Sequence, residues 1–401
     1  PGIHPFDEDG NALVCKLLRS LYGLKQAGRE WGMLFSGFLV EWGFVRSSID
    51  TCLFIYNAAD GAILWMLVYV DDCLIVDNDG ALRSRFIADL GKRFPVDDRG
   101  ELHFLLGVSI DRDRSNRTII LSQEQYVQDL IDKYGEHLRG HTRKYDSPME
   151  EGLHLSEDDC PAPGSEAATR MTSCRVTYMA LVGAFLWLAN MTRSEISHAA
   201  SQLARFVSNP GQIHFNAAIR VLIYLDCTRK RGLTYRPNLD LPLHVLVDSS
   251  WDVKFSCSGA YYFFMGCAFH WFSKMQRSVT LSSAEAEFFG AMLALKDTIW
   301  LREILLDLGL LLPGPTLMWC DSKSAVDMAF DPVAFKKTKH ILRAANFFKD
   351  HTKKNTVALQ HCKGVIMIAD ILTKAVARQL FLQLLKLLDD YSINSIIDLQ
   401  G

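Results

Sequence analysis

The chain has 401 residues, 49% hydrophobic and 22% charged, with a formal net charge of −3. Those proportions fit an ordinary globular protein of roughly two or three domains, with a sizeable core in each half. They exclude recruitment of nucleic acid by bulk charge, so any polyanion must be met by local basic patches. Candidates are Arg229-Lys230-Arg231, Lys336-Lys337-Thr338-Lys339-His340 and His351-Thr352-Lys353-Lys354. Each also reads as a solvated loop or helix face. The ten cysteines include no C-x-x-C pair, which argues against a zinc ribbon. The chain is also too large for a disulfide-stapled secreted domain, so reduced core cysteines in an intracellular protein are expected. The longest helix-like apolar stretch, 179–191, is too short to span a bilayer, so no membrane partner is expected. No signal peptide is visible at the start, and the first residue is Pro1, which suggests a chain cut from a longer precursor or reading frame.

The first block, from about residue 13 to 145, mixes helices and strands. A helix is expected over 26–42, a strand over 51–56, two strands over 63–76 meeting at Asp71-Asp72, and a helix over 79–94. Ser122 opens a further helix, with Gln125 three residues on as in a capping box. Its apolar stripe is Tyr126, Val127, Leu130 and Ile131. A loop rich in Gly, Pro, Ser and acids over 147–169 reads as a linker. The second block, 178–225, offers three amphipathic helical segments broken at Asn209-Pro210-Gly211. The third begins near 241 with strands over 243–247, 260–265 and 268–272, then a long helix over 283–308. A strand over 316–320, a helix over 324–330, another helix, a strand over 356–361 and a last helix complete it. The fold class is α/β (α+β), a mixed sheet packed by helices.

Two acidic constellations stand out. Asp71 and Asp72 lie between the apolar runs Ile63-Leu64-Trp65-Met66-Leu67-Val68 and Cys73-Leu74-Ile75-Val76. A hairpin turn alone would account for an Asp, but tight turns favour Asp-Gly or Asn-Gly over Asp-Asp. Adjacent carboxylates about 4 Å apart repel by about 1 kcal/mol in water and several-fold more when partly buried, and a bound cation reverses that sign. The second constellation is Asp248, Glu287, Asp321 and Asp370. Asp248 and Asp321 each end an apolar strand-like run. Singly, each acid also reads as a cap or surface group, and Asp321 with Ser322 and Ser324 precedes a helix. Glu285 and Glu287 lie about 200° apart on a helix, so only one can face the site. Glu287 shares its face with Gly290 and Ala291, which leaves room beside a metal.

Several longer motifs resemble one family. Tyr69-Val70-Asp71-Asp72 resembles the catalytic hairpin of reverse transcriptases. Leu21-Tyr22-Gly23-Leu24-Lys25-Gln26-Ala27-Gly28-Arg29-Glu30-Trp31 resembles a signature of copia-type retrotransposon polymerases. Asp50-Thr51-Cys52-Leu53-Phe54 and Gly100-Glu101-Leu102-His103-Phe104-Leu105-Leu106-Gly107 fit as well. Val247-Asp248-Ser249-Ser250-Trp251, Leu281-Ser282-Ser283-Ala284-Glu285-Ala286-Glu287-Phe288 and Cys320-Asp321-Ser322-Lys323-Ser324-Ala325 resemble the ribonuclease H domain of copia-type polyproteins. So do Thr338-Lys339-His340-Ile341 and Ile368-Ala369-Asp370-Ile371-Leu372-Thr373-Lys374.

That resemblance implies three parts: a reverse transcriptase palm and thumb over 1–146, a linker and helical connection over 147–240, and a ribonuclease H-like domain over 241–390. It implies catalytic roles for Asp71 and Asp72, with Asp71 the direct metal ligand. It also implies contacts from Tyr69, Lys25, Gln26 and Arg29 to primer-template and deoxynucleotides. In the second site Asp248, Glu287, Asp321 and Asp370 would bind metal, and His361 would aid product release or proton transfer, although a strand-end polar residue is its plainer reading. Mg²⁺, two per site, or Mn²⁺ is the implied cofactor. The implied partners are an RNA–DNA hybrid and the remainder of a Pol polyprotein, in a cytoplasmic particle or the nucleus.

The departures are few. Gly28 stands where the family has Pro, Ser194 where Pro is common, Ser250 where an acid or small residue is usual, and Val365-Ile366-Met367 where the loop is more polar. The family's first metal aspartate lies on a strand upstream of the segment that Pro1-Gly2-Ile3 resembles, and Asp7 and Asp9 are poor replacements. Polymerase activity is therefore not expected of this chain, whereas ribonuclease H activity is. The alternatives are a non-catalytic retrotransposon remnant and a hybrid-binding module.

Overall fold

The computed structural model describes all residues except 1–5, 7–8, 10, 13–15, 19, 142, 253–255, 278, 331–338 and 392–401. Pro1-Gly2-Ile3, Asp7 and Lys336-Lys337-Thr338 thus lie outside the described residues, as do the side chains of Lys339, His340 and Ile341. The chain divides into two compact units, Pro1–Asp98 with Glu303–Leu310, and Arg99–Arg302 with Leu311–Gly401.

The first unit contains α1 (Ala27–Trp42), β1 (Val45–Arg46), β2 (Leu53–Asn57), β3 (Ile63–Tyr69), β4 (Asp72–Asp77) and α2 (Gly80–Gly91). Its sheet is antiparallel in the order β1-β2-β3-β4. Strand alternation decides which face is covered. Leu64 and Met66 are fully buried with Phe35, Leu39, Phe54 and Phe86, whereas Leu67 and Tyr69 are exposed. Gly43 ends α1 in the left-handed conformation (φ 119°), its N–H bonded to the carbonyls of Leu39 and Val40. Asp79 caps α2 by accepting from the N–H groups of Ala81 and Leu82.

In the second unit, β5 (Phe104–Leu105), β6 (Val108–Asp113), β7 (Thr118–Ser122) and β8 (Leu233–Tyr235) form an antiparallel sheet in that order. The sequence reading named none of these four strands. Helices α3 (Glu124–Tyr134), α4 (Glu166–Met191), α5 (Ser197–Ala204) and α6 (Gln212–Cys227) share one core. The stripe on α3 is as expected, with Val127 and Leu130 buried and Tyr126 and Ile131 packed against the core. Its start is not, because Ser122 is spent in β7 opposite Ser109 and no capping box forms.

Two further expectations change. Residues 147–169 are not a free linker, since Met149 and Leu155 are buried in the helical core and Ser165 caps α4 through the Ala168 N–H. That cap lets α4 run for 26 residues, so by length and composition it is long and apolar enough to cross a membrane, contrary to the expectation from 179–191. Tyr178, Leu181, Phe185 and Leu188 of this helix are fully buried in the protein core.

The third sheet comprises β9 (His244–Ser250), β10 (Cys257–Phe264), β11 (Cys267–Met275), β12 (Thr316–Cys320) and β13 (Val357–His361), in the order β11-β10-β9-β12-β13. The β11-β10-β9 pairings are antiparallel and the β9-β12-β13 pairings parallel. Helices α7 (Ser283–Asp307), α8 (Lys323–Phe330), α9 (Lys339–Lys353), α10 (Asp370–Thr373) and α11 (Arg378–Asp389) complete the chain. Val245, Leu246 and Val247 on the central strand are fully buried, as their continuous apolar run requires of a strand covered on both faces.

Candidate active site

Register on the third sheet sets the first two acids. Val247 of β9 lies opposite Cys320 of β12 in a parallel pair, so the next residues, Asp248 and Asp321, come side by side. Asp248 does not end β9 as expected. It lies within the strand, 1% exposed, opposite Gly259 of β10. Asp370 opens α10 and is also buried. Carboxylate oxygens of Asp248, Asp321 and Asp370 all lie within 4.8 Å of one another. Glu287, in the second turn of α7, forms a similar group with Asp321 and the Cys320 thiol, whose Sγ is 3.9 Å from Glu287 Oε2. All four acids of the expected quartet are therefore brought together.

Their electrostatics are those of crowded buried anions. Burial raises the Glu287 carboxyl above the usual range, with Asp248 and Asp321 adding to the shift. Burial and the Asp248 charge likewise raise Asp370 and Asp321. Asp248 accepts a hydrogen bond from the Thr373 hydroxyl. Lys374 Nζ lies 2.7 Å from Asp370 Oδ1 and 3.7 Å from Asp248 Oδ2.

Glycines permit this convergence. A Cβ on Gly259 would lie 2.5 Å from Leu372 Cβ and 2.9 Å from Thr373 Cγ2, so only glycine lets α10 approach Asp248. Gly290 makes room for the facing strand. A Cβ there would collide with Ser249 Oγ, so it sets the approach of α7 to β9. Glu285 is buried and accepts from the Leu281 N–H at 2.8 Å. His361, the β13 partner of Cys320, is exposed, and its Nε2 is 3.1 Å from the Asp321 carbonyl.

The hairpin in the first unit differs. Tyr69, Asp71 and Asp72 are exposed. The turn is closed by Val70 at φ 56°, a rare conformation for a β-branched residue. Trp31 Nε1 donates to its carbonyl, and Tyr22 OH donates to Asp71 Oδ2, both at 3.1 Å. Among the described residues no third His, Cys, Asp or Glu groups with Asp71 and Asp72 at metal-ligand spacing. Lys25, Gln26 and Arg29 are exposed at the start of α1.

Sequence reasoning gave no role to Lys374, Thr373, Cys320 or Gly259. The i,i+4 spacing of Asp370 and Lys374 was the signal available for the first.

Residues 3–147 match the model of a reverse transcriptase (RNA-dependent DNA polymerase) family. The chain is 32% identical over 373 residues to the retrovirus-related Pol polyprotein from transposon TNT 1-94 of Nicotiana tabacum, covering 92% of this chain and 28% of that protein. It is 32% identical to a Ty5-1 transposon protein of Saccharomyces cerevisiae, covering 69% of this chain and 87% of that one. A foamy viral protease-reverse transcriptase in complex with RNA/DNA hybrid aligns over 90% of this chain and 42% of its own, at 12% identity and a TM-score of 0.47. The chain thus spans little more than a quarter of the tobacco polyprotein. Identity of 32% over 92% of this chain to the tobacco polyprotein, and over 87% of the yeast protein's length, makes the chain a member of the copia-type retrotransposon Pol polyprotein family.

Proposed function

We propose that the chain is the polymerase and ribonuclease H segment of a retrotransposon polyprotein, and that its acidic centre cleaves the RNA strand of an RNA–DNA hybrid. The observation that carries this reading is the convergence of Asp248, Asp321 and Asp370 on one point, with Glu287 beside them. Such a group of buried carboxylates is costly without a cation. Its hard oxygen donors fit Mg²⁺ or Mn²⁺. When bound, two such ions supply the charge that activates water and offsets the leaving 3′-oxygen. Asp248, Asp321 and Asp370 would hold one ion and Glu287 with Asp321 the other. Thr373 fixes the rotamer of Asp248 through its hydroxyl. His361, exposed and bonded to the Asp321 carbonyl, would aid product release or proton transfer in this reading. Contacts to the 2′-hydroxyl would select RNA over DNA.

The parts 1–146, 147–240 and 241–390 are divisions of function by resemblance. They need not follow the compact units, since β5–β7 pair onward to β8. In this reading Asp71 and Asp72, with Tyr69, Lys25, Gln26 and Arg29, form the polymerase hairpin. The rest of the polyprotein is the partner, in a cytoplasmic particle or the nucleus.

The test is Mg²⁺-dependent cleavage of a labelled RNA–DNA hybrid by the chain and by Asp321→Asn. Cleavage by the first alone is expected. A folded chain that binds hybrid and leaves it intact would instead establish a non-catalytic remnant or binding module.

A further inference from the structure

Lys374 brings a cation to the acidic centre from the chain itself. Lys374 follows the last residue of α10, with its backbone turned to an extended conformation (φ −150°, ψ 157°). This geometry brings Nζ back over the start of its own helix, 2.7 Å from Asp370 Oδ1 and 3.7 Å from Asp248 Oδ2. The Lys374 side chain is 43% exposed, against 10% for Asp370 and 2% for Asp248. The amine therefore sits at the mouth of the centre, between buried anions and solvent. Asp321 belongs to the same carboxylate group and also feels the Lys374 charge.

A divalent cation bound by Asp248 and Asp370 must approach the oxygens that Nζ now faces. Two cations cannot share that approach without strong repulsion. Lys374 has an open path to solvent on its other side, and its flexible four-carbon stem allows it to leave. We propose that Lys374 is a tethered placeholder: it holds Asp248 and Asp370 together while no metal is bound, and it is displaced towards solvent when a divalent cation enters. This role rests on the metal reading given above. It makes Lys374 a positioning residue, which stabilises the empty centre and weakens its metal affinity.

Two measurements on the whole chain test this. Calorimetric titration with MgCl₂ should show Lys374→Met binding Mg²⁺ more tightly by about two- to fivefold, the worth of one half-exposed ion pair. Its metal-free unfolding midpoint should fall, and Lys374→Arg should keep wild-type behaviour in both respects. In the unaltered chain, acetic anhydride labelling read by mass spectrometry should find Lys374 protected without metal. Saturating Mg²⁺ should then raise its labelling while exposed Lys230 stays unchanged. Equal or weaker Mg²⁺ binding by Lys374→Met, or labelling of Lys374 that is indifferent to Mg²⁺, would overturn the placeholder and leave the metal site standing. No Mg²⁺ binding by the folded wild-type chain would overturn the metal reading and the placeholder with it.

Discussion

Replacing Gly259 by Ala tests whether the approach of α10 to β9 builds the acidic centre. Gly259 is the cross-strand partner of Asp248. Its missing side chain leaves the space that α10 fills, and an added Cβ would lie 2.5 Å from Leu372 Cβ. Carbon atoms prefer about 3.5–4.0 Å, so the helix must retreat by roughly 1 Å. The obstructing atom is a Cβ, fixed to its backbone, and cannot rotate away. Overpacking of this kind costs about 1–3 kcal/mol. Alanine is otherwise acceptable in a strand and recovers about 0.4–1 kcal/mol by restricting the unfolded chain. The net loss of stability is therefore modest, about 0–2.5 kcal/mol by the difference of those two ranges. The functional loss should be larger, because Asp370, Thr373 and Lys374 move with α10, and a misplacement of about 1 Å can cost on the order of 10²-fold in rate. Urea unfolding and Mg²⁺ calorimetry on the same preparation separate the two effects. If Gly259→Ala kept wild-type Mg²⁺ affinity and hybrid cleavage, close approach would not be what assembles the site.

Metal-free stability should fall as pH rises. Burial and mutual repulsion raise the carboxyls of Glu287, Asp321 and Asp370, so the folded state holds more protons than the unfolded chain above the ordinary carboxylate range of about 4. Their penalty is absent below that range and grows upward through the raised values, so Mg²⁺ should stabilise the chain more at pH 8 than at pH 6 in thermal melts; a pH-independent Mg²⁺ effect would refute this. Glu195→Gln should destabilise by about 3–5 kcal/mol in urea unfolding, because it strands a buried cation. Glu195 is 2% exposed and holds the 1% exposed Arg193 at 2.7 Å. A loss under about 1 kcal/mol would mean that the pair is dispensable. Asp79→Ala should lower stability by about 0.5–2 kcal/mol through loss of the α2 cap, whereas Asp79→Asn should largely retain it; equal effects of the two changes would deny the cap.

Segments whose burial pattern is local were legible in the sequence. The strand over 316–320 was read from an unbroken apolar run and is β12 without change. The 283–308 helix became α7 over Ser283–Asp307. Segments whose stability comes from distant partners were not legible. β8 lies more than a hundred residues beyond β7, and four of the six residues of Val108–Asp113 are polar, so nothing nearby announced their sheet. The reach of β9 through Ser249 and Ser250 was missed for the same reason, because these polar residues are held by pairing with Ser258 and Cys257. Helix geometry separates Glu287 from Glu285, and Glu287 is the one grouped with Asp321 and Cys320; the role of Gly290 in packing is not local. That glycine serves a helix–strand contact visible only in three dimensions.

The two acidic constellations differ in the physical property that makes carboxylates demand a cation. Asp71 and Asp72 are exposed, water can screen their charges, and a tyrosine hydroxyl is the recorded side-chain partner of Asp71. Their mutual repulsion is about 1 kcal/mol in water, far less than among buried charges. Asp248, Glu287 and Asp370 are buried, with Asp321 at their edge, and water cannot screen them to the same degree. The chain answers that cost with Thr373, Lys374 and two glycines that tighten the packing instead of relaxing it. A site held together against its own repulsion is preorganised for positive charge. Cation binding should therefore be strong at the buried centre and weak at the hairpin, and Asp71→Asn should leave the Mg²⁺ isotherm of the chain unchanged where Asp248→Asn abolishes it.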